Sequence, residues 1–221
     1  MYTFHFEVVL RYLPALAIGL KNTILLTLFG MGGALTVALF LSLMVISRRR
    51  LVRLPAIVYI EFFRGVPFLV VLVWMFYALA AVTGVSLPAF TAAVISLTVC
   101  QSAYSAEVFR AGIESLEKGQ MESARTLGMS YSLAMRRIIL PQAIRRMVPP
   151  LVNSFIGMLK WSSLASIIAV PELLYQGNII IQRTYRPMEI YTVIAVLYFI
   201  VSYPIAMLTR YLERKYDVGR K

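Results

Sequence analysis

Lys160 stands in "LKWSSLAS", near the centre of an apolar run from Val148 to Val170. An ammonium there is costly, because hydrocarbon does not solvate it and its stem reaches water less easily than from a helix end. Such a charge calls for a partner, either from a neighbouring helix or from a small molecule in transit. Trp161, Ser162 and Ser163 follow it and supply an amphipathic wall and two hydroxyls. Glu61 and Arg64, three apart and so on one helix face, form a second ionisable set, which either fixes packing as an ion pair or faces a solute. Gln101, Tyr104, Ser105 and Glu107 make a polar stripe on another apolar helix, suited to hydrogen bonds between helices or to solute contact. This is the chemistry of holding and passing, not of bond making. The sequence has no serine–histidine pair, metal-ligand spacing or paired acids, so neither catalytic nor metal-ligating residues are assigned. His5 has no companion histidine, and Cys100, the only cysteine, can form no intrachain disulfide. "GMGG" at Gly30 to Gly33 lacks the following Lys-Ser or Lys-Thr of a phosphate loop.

The elements that must position these groups are membrane helices. Apolar types make up 60% of the 221 residues and charged types only 14%, too little polar surface for a soluble domain. A hydrocarbon layer roughly 30 Å thick takes about 20 helical residues to cross. Five runs qualify: Ile24 to Ile46, Ile57 to Val82, Pro88 to Phe109, Val148 to Val170 and Ile190 to Leu208. The first follows "HFEVVLRYLPALAIGLKN" and reads as a retained span, not a removed signal peptide. Gly30, Ala34, Ala38 and Ser42 align small side chains along one face of it, which predicts close helix packing. The segment "PELLYQGNIIIQRTYRP" between the last two spans reads as a short helix and turn at the outer face.

The net charge of +12 has an address. Basic residues gather in the first interspan loop (Arg48, Arg49, Arg50, Arg53), in the third (Arg110, Lys118, Arg125, Arg136, Arg137, Arg145, Arg146) and in the tail (Arg210, Arg214, Lys215, Arg220, Lys221). Basic loops stay on the cytoplasmic side, so the N-terminus is expected outside and the C-terminus inside. An odd number of spans agrees, and the charge needs no nucleic-acid partner to explain it.

The third loop is long, polar and helix-forming. Lys118 to Leu127 favours helix, and Gly128 follows where a helix can end in a left-handed conformation. Ser130 or Ser132 can cap a second short helix, "LAMRRIIL", which Pro141 is expected to end at Leu140. Glu122-Ser123-Ala124, three residues, Gly128, nine residues, Ile138, one residue and Leu140-Pro141 resemble the EAA loop of ABC-importer membrane subunits, with Ser123 the one small-for-small departure. "GLKNTILLT" (Gly19 to Thr27), "YIEFFRGVP" (Tyr59 to Pro67), "YSAEVFRAGI" (Tyr104 to Ile113) and "GQMESA" (Gly119 to Ala124) resemble the polar amino-acid permease family over nearly the whole chain.

The resemblance implies an all-α, polytopic permease domain over residues 1–221, with about five spans, type I ABC-importer architecture and a cytoplasmic coupling loop at about 110–147. It implies a second permease subunit, the same or a related chain, within membrane lipid. Two cytoplasmic ATPase subunits, which carry ATP and magnesium, and an extracytoplasmic solute-binding protein complete the expected assembly; no cofactor is expected in this chain. Glu122, Ser123, Ala124, Gly128, Ile138, Leu140 and Pro141 are then the coupling residues. Lys160, Trp161, Ser162, Ser163, Glu61, Arg64 and Gln101 are candidates for the substrate path. The family usually carries K-D-T-S-L where this chain has Lys160-Trp161-Ser162-Ser163-Leu164, so Trp161 removes an acid that would hold a cationic substrate. An independent ion-coupled carrier or channel is the alternative; it would use the same spans but has no need of the loop pattern.

Overall fold

The computed structural model describes residues 3–47 and 49–216. Arg48, Arg220 and Lys221 of the basic clusters, and the side chain of Lys118, lie outside what is described. The described residues form helices α1 (Glu7–Ile46), α2 (Arg50–Gly65), α3 (Phe68–Thr83), α4 (Ala89–Glu114), α5 (Lys118–Thr126), α6 (Tyr131–Ile168), α7 (Leu173–Thr184) and α8 (Pro187–Tyr216), with no strand among them. Helices α1, α4, α6 and α8 are each long and apolar enough to cross a membrane. The pair α2 and α3 makes a fifth crossing if counted as one span.

Three spans depart from expectation, the fourth by starting at Tyr131 in the loop, not near Val148. The first begins at Glu7, not near Ile24, and its 40 residues extend about 60 Å, well beyond the hydrocarbon. Packing explains this: Val9 and Leu16 are buried with Leu173, Ile180, Ile190 and Ile194 of α7 and α8, so the early turns have a core of their own despite Pro14. At Gly19 the approach is so close that an added Cβ would lie 2.9 Å from the Leu173 Cα. The second span is not continuous but bends by 105° between Gly65 and Phe68. Pro67 is the cause, since it biases Val66 to the extended geometry found there (φ −93°, ψ 132°) and supplies no amide to carry the ladder on.

The small-residue stripe of α1 packs as expected. Gly30, Ala34, Ala38 and Ser42 are all buried, and α1 lies along α4. An added Cβ at Gly30 would lie 3.0 Å from the Leu97 Cβ, and the Thr98 hydroxyl donates to the Gly30 carbonyl at 3.3 Å. Leu26, Leu72, Leu97, Met158 and Ala165 complete a core shared by α1, α3, α4 and α6. The short helix expected between the last two spans is α7. Glu172, not Pro171, is its cap residue, accepting hydrogen bonds from the Leu174 and Tyr175 amides.

Candidate functional site

The loop folds as a helix, a turn and the start of a much longer helix. Helix α5 ends on Leu127, and Gly128 takes the left-handed conformation (φ +80°) expected of it. The Gly128 amide donates to the Arg125 carbonyl (3.0 Å) and the Met129 amide to the Ala124 carbonyl (3.1 Å), the paired bonds of a Schellman stop. Of the two candidate caps it is Ser130 that serves, its hydroxyl accepting from the Leu133 amide. The expected second short helix is not short. It runs past Pro141 into the fourth span as α6, with Leu140 in helical geometry (φ −59°, ψ −43°). A π turn over Met135–Ile139 makes this possible, because it widens the helix where the proline ring would meet the carbonyl four residues back. The Gln142 side chain then donates to the Ile138 carbonyl at 3.0 Å.

The turn is bound tightly to the spans. Leu116, Ile139, Ala143 and Met147 are buried together, with Met121, Met135 and Ile138 packed against them. Gln142 donates to Gln120 (2.9 Å), and Arg146 donates to the Ser115 carbonyl (2.5 Å). Of the seven coupling candidates, Ala124 is buried, Ile138 joins this cluster, and Glu122, Ser123, Gly128, Leu140 and Pro141 face outward. Leu127 was not foreseen. This apolar side chain at the tip of a polar loop is 83% exposed.

Within the bundle the path candidates divide into two groups. Arg64 at the end of α2 lies 3.9 Å from Glu61 on its own helix and 3.9 Å from Glu107 on α4. Glu107 is held more firmly by Arg110, with a two-toothed contact at 2.7 and 3.1 Å, and Arg110 also pairs with Glu114. Positions 107, 110 and 114 follow helical spacing, so this ladder was readable from the sequence once α4 is extended to Glu114. The Arg64 guanidinium carbon lies 5.9 Å from the Tyr104 ring centre, and the Tyr104 hydroxyl donates to the Arg64 carbonyl. Trp161 stacks on Phe68 at 5.5 Å and meets Tyr104 edge-on at 5.6 Å.

Three cavities share Arg64. One of about 350 Å³ includes Trp161, Phe68 and Tyr104; a second, of about 570 Å³, includes Tyr104, Glu107 and Arg146; the third, about 730 Å³, includes Glu61, Glu107, Arg110 and Glu114. Trp161, Arg64 and Glu61 therefore lie along a track of neighbouring cavities that meet at Arg64. The other candidates do not join it. Gln101 is buried and bonds Ser105 of its own helix (3.3 Å), not a neighbouring helix, because its amide reaches the next turn. The Ser162 and Ser163 hydroxyls donate to the carbonyls of Leu159 and Lys160. Lys160 is exposed, and its ammonium has no hydrogen bond or ion pair among the described residues. At Ser162 the helix tightens into a 3-10 stretch, which stops at Ala169 in the left-handed region (φ 58°).

A bundle of apolar helices around a charged track, with a polar loop locked to one span, is the build of a transporter's membrane subunit. The chain belongs to the family described as binding-protein-dependent transport system inner membrane component, which matches residues 30–218. It is 40% identical over 215 residues to the probable amino-acid ABC transporter permease protein YckA of Bacillus subtilis, covering 97% of this chain and 95% of that one. It is 35% identical over 207 residues to the glutamine transport system permease protein GlnP of Escherichia coli, covering 93% and 94%. Among solved structures, a chain of an amino acid ABC transporter crystallised with histidines matches with a TM-score of 0.92 at 40% identity, over 97% of this chain and all of that one. A chain of the MetNI methionine ABC transporter shares the fold, with a TM-score of 0.66 at 18% identity. The protein is a multi-pass permease subunit of an ABC transporter.

Proposed function

We propose that this permease carries a polar amino acid or a related small zwitterion into a bacterial cell across the cytoplasmic membrane. In this reading it pairs with a second permease subunit, the same chain or a relative, and receives its cargo from an extracytoplasmic solute-binding protein. Two cytoplasmic ATPase subunits, bearing ATP and magnesium, dock on the loop; this chain holds no nucleotide. The substrate class rests on the amino-acid and glutamine permeases that it resembles. The coupling role rests on one observation: the Schellman turn at Gly128 presents exposed Leu127 and Glu122 at the head of a helix that continues unbroken to the Trp161 side of the track.

The physics suits a mechanical contact. Gly128 leaves room for close docking, buried Ala124 lets α5 pack closely beneath it, Leu127 offers an apolar knob, and Glu122 a carboxylate for a basic group on the partner. An independent carrier or channel would leave such a knob without use. Gly128→Pro forbids the positive φ, and Glu122→Lys inverts the charge, while neither touches a span. Both variants should insert normally but lose ATPase association and reduce substrate-stimulated hydrolysis to the unstimulated level. Normal association and normal stimulation in both would sink the coupling assignment.

A further inference from the structure

Opposite sides of one cavity at the loop end of the bundle are built from α6 and α8. Its volume is about 660 Å³, and Gln142, Arg145, Arg146, Lys215 and Tyr216 line it. Three of these five are cations, and no carboxylate of the described residues is among them; Asp217, the next residue, lies outside the described residues. Arg146 is partly committed to the Ser115 carbonyl and hydroxyl. Arg145 has no hydrogen bond or ion pair among the described residues, and Lys215 has only the Tyr211 ring, 5.8 Å from its ammonium. Among the described residues the one acid nearby on α8, Glu213, is absent from the lining and pairs with none of the three cations.

Like charges gathered around a concave space repel one another and focus a positive field there, so an anion among them is favoured. The surroundings select the kind of anion. Leu208, Tyr211 and Lys215 share one face of α8 by their spacing of three and four, and Leu208 and Tyr211 are exposed there. On α6, Arg145, Val148 and Val152 share a face by the same rule, and Ile144 beside Arg145 is exposed. A polar, cationic recess thus opens directly onto apolar helix faces of two membrane spans. A soluble anion would use the recess and leave those faces bare, whereas a phospholipid uses both.

We infer that Arg145, Arg146 and Lys215 form a site for the anionic headgroup of a phospholipid in the leaflet on the coupling-loop side, with its acyl chains along Leu208 and Val148. The site sits where α6 leaves the loop, so an occupied headgroup ties the α6 base to the end of α8. It does not depend on the identity of the transported solute.

The test uses the full chain purified in a neutral detergent and titrated, by native mass spectrometry, with phosphatidylglycerol, phosphatidylcholine of the same acyl chains, or inorganic phosphate. Phosphatidylglycerol should bind at least tenfold more tightly than phosphatidylcholine, and Arg145→Gln with Lys215→Gln should weaken it by about 30-fold, the effect of two basic groups at a membrane surface. Arg183→Gln, on α7 near the other end of α8, should leave it unchanged. Both substituted positions in the double variant are exposed, so the fold is not at risk, and an unchanged melting temperature checks this. Equal binding of the two lipids, an unaffected double variant, or displacement of the lipid by micromolar inorganic phosphate would each overturn the proposal, the last by making the recess a site for soluble anions.

Discussion

Glu172 is a carboxylate completely enclosed by protein, in the connection between α6 and α7. It accepts hydrogen bonds from the Leu174 and Tyr175 amides, the Tyr198 hydroxyl and, at 3.4 Å, the Thr23 hydroxyl. Burial pushes its pKa up to about 6, and these bonds hold it from rising further. The sign of the linkage follows. Between its ordinary value of 4.5 and about 6 the folded chain holds a proton that the unfolded chain has lost, so this group's contribution to stability falls as pH rises through that window. Glu172→Gln should remove that slope while costing part of the α7 cap. Thermal unfolding in detergent checks it: the melting temperature of the parent, relative to the variant, should decline between pH 4.5 and 6 and then level off. A constant difference across that range would mean that the carboxyl does not titrate there.

At the scale of elements, the segment at the end of α6's regular turns is where we expect charge selectivity to be set. Trp161 is fixed between Phe68 and Tyr104 on the track, while Lys160, its neighbour, faces away from this subunit and lacks a local partner. Lys160 is then available to a second subunit or to a solute carboxylate between subunits. Lys160→Met should lower uptake by about tenfold or more while leaving assembly intact, the loss expected for one hydrogen bond to a charged group. Trp161→Asp should weaken use of acidic substrates relative to cationic ones, because a carboxylate inverts the field in a low-dielectric site. Uptake of acidic, neutral and basic amino acids by reconstituted complex, with subunit association measured alongside, separates binding from packing. An unchanged substrate ranking in both variants would leave the segment a packing element. Sequence reading reached the loop closely, because Gly128 and Ser130 act through local backbone geometry. It missed the break at Pro67 and the continuation past Pro141 for a related reason. A proline states which amide is lost and which residue is biased away from helix, but not whether the chain bends, as by 105° here, or keeps helical by widening into a π turn. It grouped Gln101, Ser162 and Ser163 with the track because polarity in a span is visible in sequence, whereas the hydroxyl or amide turning to its own helix is not.

For the whole molecule the basic loops set the orientation. A reporter fused after Lys221 should be cytoplasmic and a tag placed before Thr3 external. A tag protected from protease in intact spheroplasts would contradict this and point to an even number of crossings. The continuity of α6 has a further consequence in plain geometry. From Tyr131 at the turn to Trp161 at the track is 31 residues of one helix, about 45 Å long. Were the turn docked as proposed and used as a pivot, a tilt of about 5° would sweep the Trp161 end through about 4 Å, the thickness of an aromatic ring. An ATPase that rocks its socket by a few degrees therefore has enough stroke to slide the indole off Phe68, with no part of α6 needing to unfold.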